Sequence, residues 1–131
     1  MKRFSFLFFM AMLFVSSCYK EEKEIIHNLA GQYYCTVITT SRVPGMPDDT
    51  SFRTIEFKKI ASYPRKLKLT LGPNTYTIAP NFSTFSFQAD GKDLNSLSGR
   101  FYGTDSVIIH PSYGPCPGCG ATSTTYIGKK Q

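Results

Sequence analysis

Lys66-Leu67-Lys68-Leu69-Thr70-Leu71 is the stretch on which the fold class turns. Leucine at every second position, with Lys or Thr between, puts three apolar side chains on one face and three polar ones on the other only if the chain is extended. A strand wet on one face and buried on the other is the habit of antiparallel sheet. Gly72-Pro73-Asn74 then turns the chain into a second strand, Thr75 to Ile78. Downstream, Phe82 to Gln88 carries Phe85 and Phe87 on one face, and Asp90-Gly91 marks a hairpin turn because both residues tolerate positive φ. Leu97 to Tyr102, Ser106 to His110 and Thr122 to Ile127 follow. Upstream lie Gln32 to Thr40 and Phe52 to Ile60, split by a loop holding Pro44-Gly45 and Pro47-Asp48-Asp49. No stretch between these runs keeps a helical period. About eight strands at this spacing predict an all-β domain of antiparallel strands, a small barrel or a β-sandwich.

Gly31-Gln32-Tyr33 opens the first strand. It resembles the Gly-x-Trp with which lipocalins begin, Tyr standing where that family has Trp. The resemblance implies a lipocalin-like barrel and speaks to fold alone.

The N-terminus reads as a processing signal. Lys2 and Arg3 precede an almost unbroken apolar run from Phe4 to Val15, and Ser16 and Ser17 are small. This is the three-part pattern of a secretory signal peptide, and a run of roughly a dozen residues falls short of the ~20 that span a bilayer. Val15-Ser16-Ser17-Cys18 resembles the lipobox of bacterial lipoproteins, with Val in the first place where Leu is usual. The resemblance implies cleavage before Cys18 and a lipid anchor on that cysteine, tying the protein to a membrane. Anchoring needs at least two acyl chains. Tyr19-Lys20-Glu21-Glu22-Lys23-Glu24 is too charged to bury a core and is expected to be a solvated tether. Its Lys20-Glu21-Glu22 resembles the export signal that places some Gram-negative lipoproteins on the outer face of the outer membrane. The periplasmic face is the alternative. The expected organisation is therefore residues 1–17 as signal, 18–28 as lipidated cysteine and tether, and 29–131 as the β domain.

The formal charge of +6 falls to +4 once Lys2 and Arg3 leave with the signal. That is solubility charge rather than a nucleic-acid footprint, so no nucleic-acid partner is expected. The densest basic cluster is Lys58, Lys59, Arg65, Lys66 and Lys68. It is read either as a solvated face that keeps an edge from aggregating, or as a contact for acidic glycan or lipid phosphate.

Cys116-Pro117-Gly118-Cys119-Gly120 is the most specific local feature of the mature chain. Three chemistries compete for it. It resembles half a zinc ribbon, but zinc needs four ligands, and only Cys35, His110 and His27 remain to complete a site. A thiol–disulfide pair would want the first Cys at a helix start after a strand, and this motif lies in a Pro/Gly loop between strands. A structural staple is the third reading, since exported cysteines oxidise. With Cys18 lipidated, the odd count leaves one cysteine over. The expectation is a Cys116–Cys119 bridge with Cys35 buried and free. Asp105-Ser106-Val107 resembles the Asp-Ser/Thr-apolar acceptor of bacterial O-glycosylation, which implies Ser106 as the modified residue.

No nucleophile–base pair and no phosphate-binding glycine loop is legible, so no catalytic residue and no cofactor is expected. The function expected is a non-enzymatic, membrane-anchored binding module for a small ligand, glycan or protein. The longest loops, Val43 to Asp49 and Pro111 to Gly120, are its candidate contact surface. A redox or zinc protein built on Cys116 and Cys119 is the alternative.

Overall fold

The computed structural model describes residues 24–88, 94–113 and 122–131. The domain is all-β, as the alternation predicts. Its strands are β1 (Gly31–Ser41), β2 (Asp49–Lys59), β3 (Leu67–Leu71), β4 (Asn74–Ile78), β5 (Thr84–Gln88), β6 (Leu94–Tyr102), β7 (Ser106–Tyr113) and β8 (Thr122–Lys130). All pair antiparallel in one eight-stranded sheet, in the order β4-β3-β2-β1-β8-β7-β6-β5. Every strand therefore lies beside its sequence neighbour, save that β1 pairs β8 and the ladder is open between β4 and β5. This is an up-and-down barrel with one seam. Side chains draw the seam together, the Tyr76 and Phe87 rings lying 5.8 Å apart across it.

The Leu-Lys-Leu-Thr-Leu pattern of β3 puts Leu67, Leu69 and Leu71 in the core. The same period-two logic orients Tyr33, Cys35 and Val37 of β1, Ile55 and Phe57 of β2, and Val107 and Ile109 of β7. Phe57 lies at the centre of an aromatic cluster, with ring centroids 5.3 Å from Tyr33, 6.2 Å from Phe85 and 5.0 Å from Phe101. Two glycines make room for this packing. Phe85 lies over Gly99, its cross-strand partner, where a Cβ would strike the ring. Gly128 sits between Cys35 and Val107, and a Cβ there would meet Cys35 Sγ at 2.6 Å.

A short helix over residues 24–29 precedes β1 and closes one end of the barrel. Ile26 and Leu29 are buried by it, so packing begins inside the stretch read as tether. Its last turn is tied down by side chains. Tyr33 donates its hydroxyl to the Leu29 carbonyl at 2.8 Å, and Lys130 Nζ donates to the Asn28 carbonyl at 2.7 Å. Antiparallel connectivity sorts the other connections. The helix end also holds the 60–66, 79–83 and 103–105 connections and the C-terminus. The opposite end receives the β1–β2 loop, the β3–β4 turn, and the strand ends facing residues 89–93 and 114–121. Asp90-Gly91 lies outside the described residues.

Candidate functional site

The inward positions change character along the barrel axis. Near the helix they are aromatic and aliphatic. Toward the open end the buried Val37, Leu71 and Leu97 are joined by Arg53 on β2, Tyr76 on β4, Tyr113 on β7 and Tyr126 on β8, all in the inward phase of their strands. These four side chains influence one another. Burial pushes the Tyr113 phenol up to about 12; the charge of Tyr126 and a hydrogen bond with it add to the rise, as does Tyr76, while Arg53 pulls the other way. One guanidinium and three phenols around a barrel mouth suit a ligand bearing an anionic or hydrogen-bond-accepting group against an aromatic wall.

Beside the mouth the wall is forked. The β7–β8 ladder runs from Ser106–Lys129 to Ile109–Tyr126. Pro111, without an N–H to donate, lies just past the last pair, where β7 has become an edge. The fork is bridged by His110 Nδ1 and Thr125 Oγ1 at 3.2 Å. An open groove of about 280 Å³ fills it, lined by Arg42, Tyr113, Ser112 and Thr122 among others. It shares Ser98 and His110 with a second open groove, of about 590 Å³, over the outer face of β5, β6 and β7. Arg100, Tyr102, Thr84 and Ser86 line that one. Among the described residues neither groove is lined by an Asp or Glu.

The sequence candidates fall in different places. Cys35 is buried and unbridged, its thiol donating weakly to the Tyr33 carbonyl at 3.7 Å, and burial raises its pKa to about 11. A thiol so placed is a packing group rather than a nucleophile. Cys18, Cys116 and Cys119 lie outside the described residues. His27 is on the closing helix, at the other end of the barrel from His110 on β7. Among the described residues, no three His, Cys, Asp or Glu side chains gather as metal ligands would. Ser106 is half-buried at the start of β7 and donates to Asp105 Oδ1 at 3.0 Å. Of the two long loops, Val43 to Asp49 lies at the open end, and the other lies outside the described residues from residue 114 onward. Pro111 and Ser112 belong to β7 rather than to its loop. Of the basic cluster, Lys58 and Lys68 are cross-strand partners on the outer face, with Lys58 Nζ held 3.2 Å from Glu56.

Sequence reading missed the mouth. Its signal was an arginine in phase with Ile55 and Phe57, a position that apolar alternation alone does not explain. No known protein-family model matches the chain, and no curated protein matches it in sequence. Among the described residues no helix is long and apolar enough to cross a membrane.

Proposed function

We propose that this chain is a lipid-anchored, non-enzymatic binding module of a bacterial outer membrane, displayed at the cell surface, that engages its ligand through the open end of the barrel. The observation that carries this is polarity along the axis. The chain enters the barrel at the helix end, and Arg53, Tyr76, Tyr113, Tyr126 and the β1–β2 loop belong to the other. A tether on Cys18 would leave that end facing outward. Binding there asks for no catalytic residue.

Anchoring is tested by fatty-acid labelling: label on the wild type, none on Cys18→Ala, and release of that variant from membranes. Ligand binding is tested on an array of glycans and peptides, comparing the wild type with Arg53→Ala, Tyr113→Ala and, as an outer-face control, Lys68→Gln. A ligand lost by the two mouth variants and kept by the control supports the reading. A ligand kept by all three moves binding away from the mouth. Insulin reduction by the purified protein that disappears in Cys116→Ser would replace the binding module with a thiol–disulfide enzyme.

A further inference from the structure

The helix end carries a second set of surface features that the mouth does not use. Lys58 and Lys59 end β2, Lys68 lies near the start of β3, and Lys129 and Lys130 end β8, with Arg65 and Lys66 in the connection between β2 and β3. In the sheet, β3, β2, β1 and β8 are successive neighbours. The cations therefore form an arc flanking the start of β1, where the chain enters. Glu24, Glu56 and Asp105 are the acids described at this end. At the open end, Arg42 and Arg53 are balanced by Asp48 and Asp49. Among the described residues positive charge is thus segregated toward the helix end.

Exposed apolar side chains share that end. Ile25 projects from the closing helix, Tyr63 from the β2–β3 connection and Phe82 from the β4–β5 connection. Phe82 is 79% exposed and has a φ of 54°, in the left-handed region that a bulky residue rarely occupies. That φ is set by the two-residue turn that Asn81 and Thr84 close with reciprocal backbone hydrogen bonds, and the turn holds the bare ring out in solvent. Lys66 Nζ lies 4.9 Å from the Tyr63 ring centroid, so a cation and an aromatic ring are offered side by side. Rings and aliphatic stems below lysine ammonium groups match the interface of a bilayer, where apolar tips enter the acyl boundary and cations meet phosphates.

We infer that the helix end of the barrel is a docking face for an anionic lipid surface, with Phe82, Tyr63 and Ile25 as interfacial anchors and the lysine arc on lipid phosphates. The inference deepens the anchored-module reading and rests on it for orientation. From Cys18 to Glu24 the chain reaches at most about 20 Å, whereas the 11 residues of β1 span about 36 Å. A lipid on Cys18 therefore keeps the helix end close to the membrane, and docking would hold the mouth upright rather than leave it swinging.

The chain has no Trp, so a single Trp reports on each end. Mature Phe82→Trp and Met46→Trp proteins are placed on vesicles of phosphatidylcholine, with and without phosphatidylglycerol, each containing a brominated lipid as quencher. Phe82→Trp emission should be quenched on the anionic vesicles and much less on the neutral ones, and Met46→Trp on neither. Adding Lys59→Gln, Lys66→Gln and Lys68→Gln to Phe82→Trp should lower the ratio of docked to free protein about fivefold per charge removed. Circular dichroism confirms that each variant is folded. Absence of Phe82→Trp quenching on anionic vesicles, equal quenching at both ends, or indifference to the lysine changes overturns the docking face. Fatty-acid labelling of the same samples reports the anchor separately. Quenching that persists in protein without lipid supports the docking face while removing the anchor.

Discussion

At the helix end the inward residues are Tyr33, Phe57, Leu67, Ile78, Phe85, Phe101 and Val107, sealed by Ile26 and Leu29. At the open end they are Arg53, Tyr76, Tyr113 and Tyr126. The same eight strands make both. The dry core is sealed at the helix end and runs on through Val37, Leu71 and Leu97, and polar inward groups are added to it only at the open end. The dry half supplies the apolar burial that holds a domain of this size together. Arg53 and the phenols of Tyr76 and Tyr113 at the other end add little to that burial.

The comparison breaks first at Phe57. Truncating a large buried aromatic costs about 3–5 kcal/mol, and Phe57 touches three other rings. Against a total stability of ~5–15 kcal/mol, Phe57→Ala should remove a large share of the stability and move the urea midpoint far down. Tyr76→Phe, at the open end, should unfold at nearly the wild-type midpoint. Equal losses would mean that the barrel does not divide into a structural and a functional half.

The midsection is sensitive in a different way. Gly128→Ala drives a methyl into Cys35 Sγ and toward Val107 Cγ1 at 3.0 Å, overpacking of the kind that costs about 1–3 kcal/mol. If the clash is with the thiol, adding Cys35→Ala should recover part of that loss, and a double-mutant cycle in denaturant reads the recovery directly. Two changes that simply add would place the clash in the backbone or on Val107 instead.

Alkali tests both halves together. Burial raises Cys35 from about 9 to about 11 and, with Asp105 assisting, Tyr33 from about 10 to about 12; Tyr113 at the mouth rises likewise to about 12. Each is an acid whose neutral form the fold favours, so the unfolded chain loses its proton first. Their contribution to stability is complete below about pH 9 and is lost between roughly pH 9 and pH 12. Denaturation midpoints followed across that range should decline from pH 9 in the wild type. In Cys35→Ala the decline should begin nearer pH 10. The same onset in both proteins would show that the thiol is not the first group to titrate.

What could be read from the sequence follows from how each feature is encoded. The dry half was legible because apolar alternation is a local signal, and Leu67, Leu69 and Leu71 announce it in six residues. The closing helix was missed because six residues with Ile26 and Leu29 buried give too short a period to detect beside a charged run. The mouth was missed because it is assembled from four strands. Arg53, Tyr76, Tyr113 and Tyr126 are unremarked in sequence, and only strand order and register bring them together. The lysine cluster was visible as composition. Its meaning depends on the end of the barrel at which it sits, which is a property of topology. The Val43 to Asp49 loop was legible as a Pro- and Gly-rich break, and its place at the open end needed the strand order to be known.

The smallest effect, and the finest probe of the comparison, is Tyr113→Phe. The ring stays and only the hydroxyl that bonds Tyr126 is lost. A hydrogen bond of this kind contributes about 0.5–1.5 kcal/mol, and at a partly open mouth water can replace the partner, so the stability loss should fall at the lower end. Binding should respond more strongly. Any array ligand captured by the mouth would lose an oriented hydroxyl from its wall, and Tyr126 would be left to pair with water. The expected pattern is a denaturation midpoint close to wild type with clearly weaker ligand binding. Tyr33→Phe gives the mirror image, because its hydroxyl bonds the Leu29 carbonyl inside the dry half. There the carbonyl is stranded away from water, so the midpoint should fall further while binding at the far end is untouched. If Tyr113→Phe behaved as Tyr33→Phe does, the mouth would be part of the core, and the ligand would have to be sought on the outer grooves around His110.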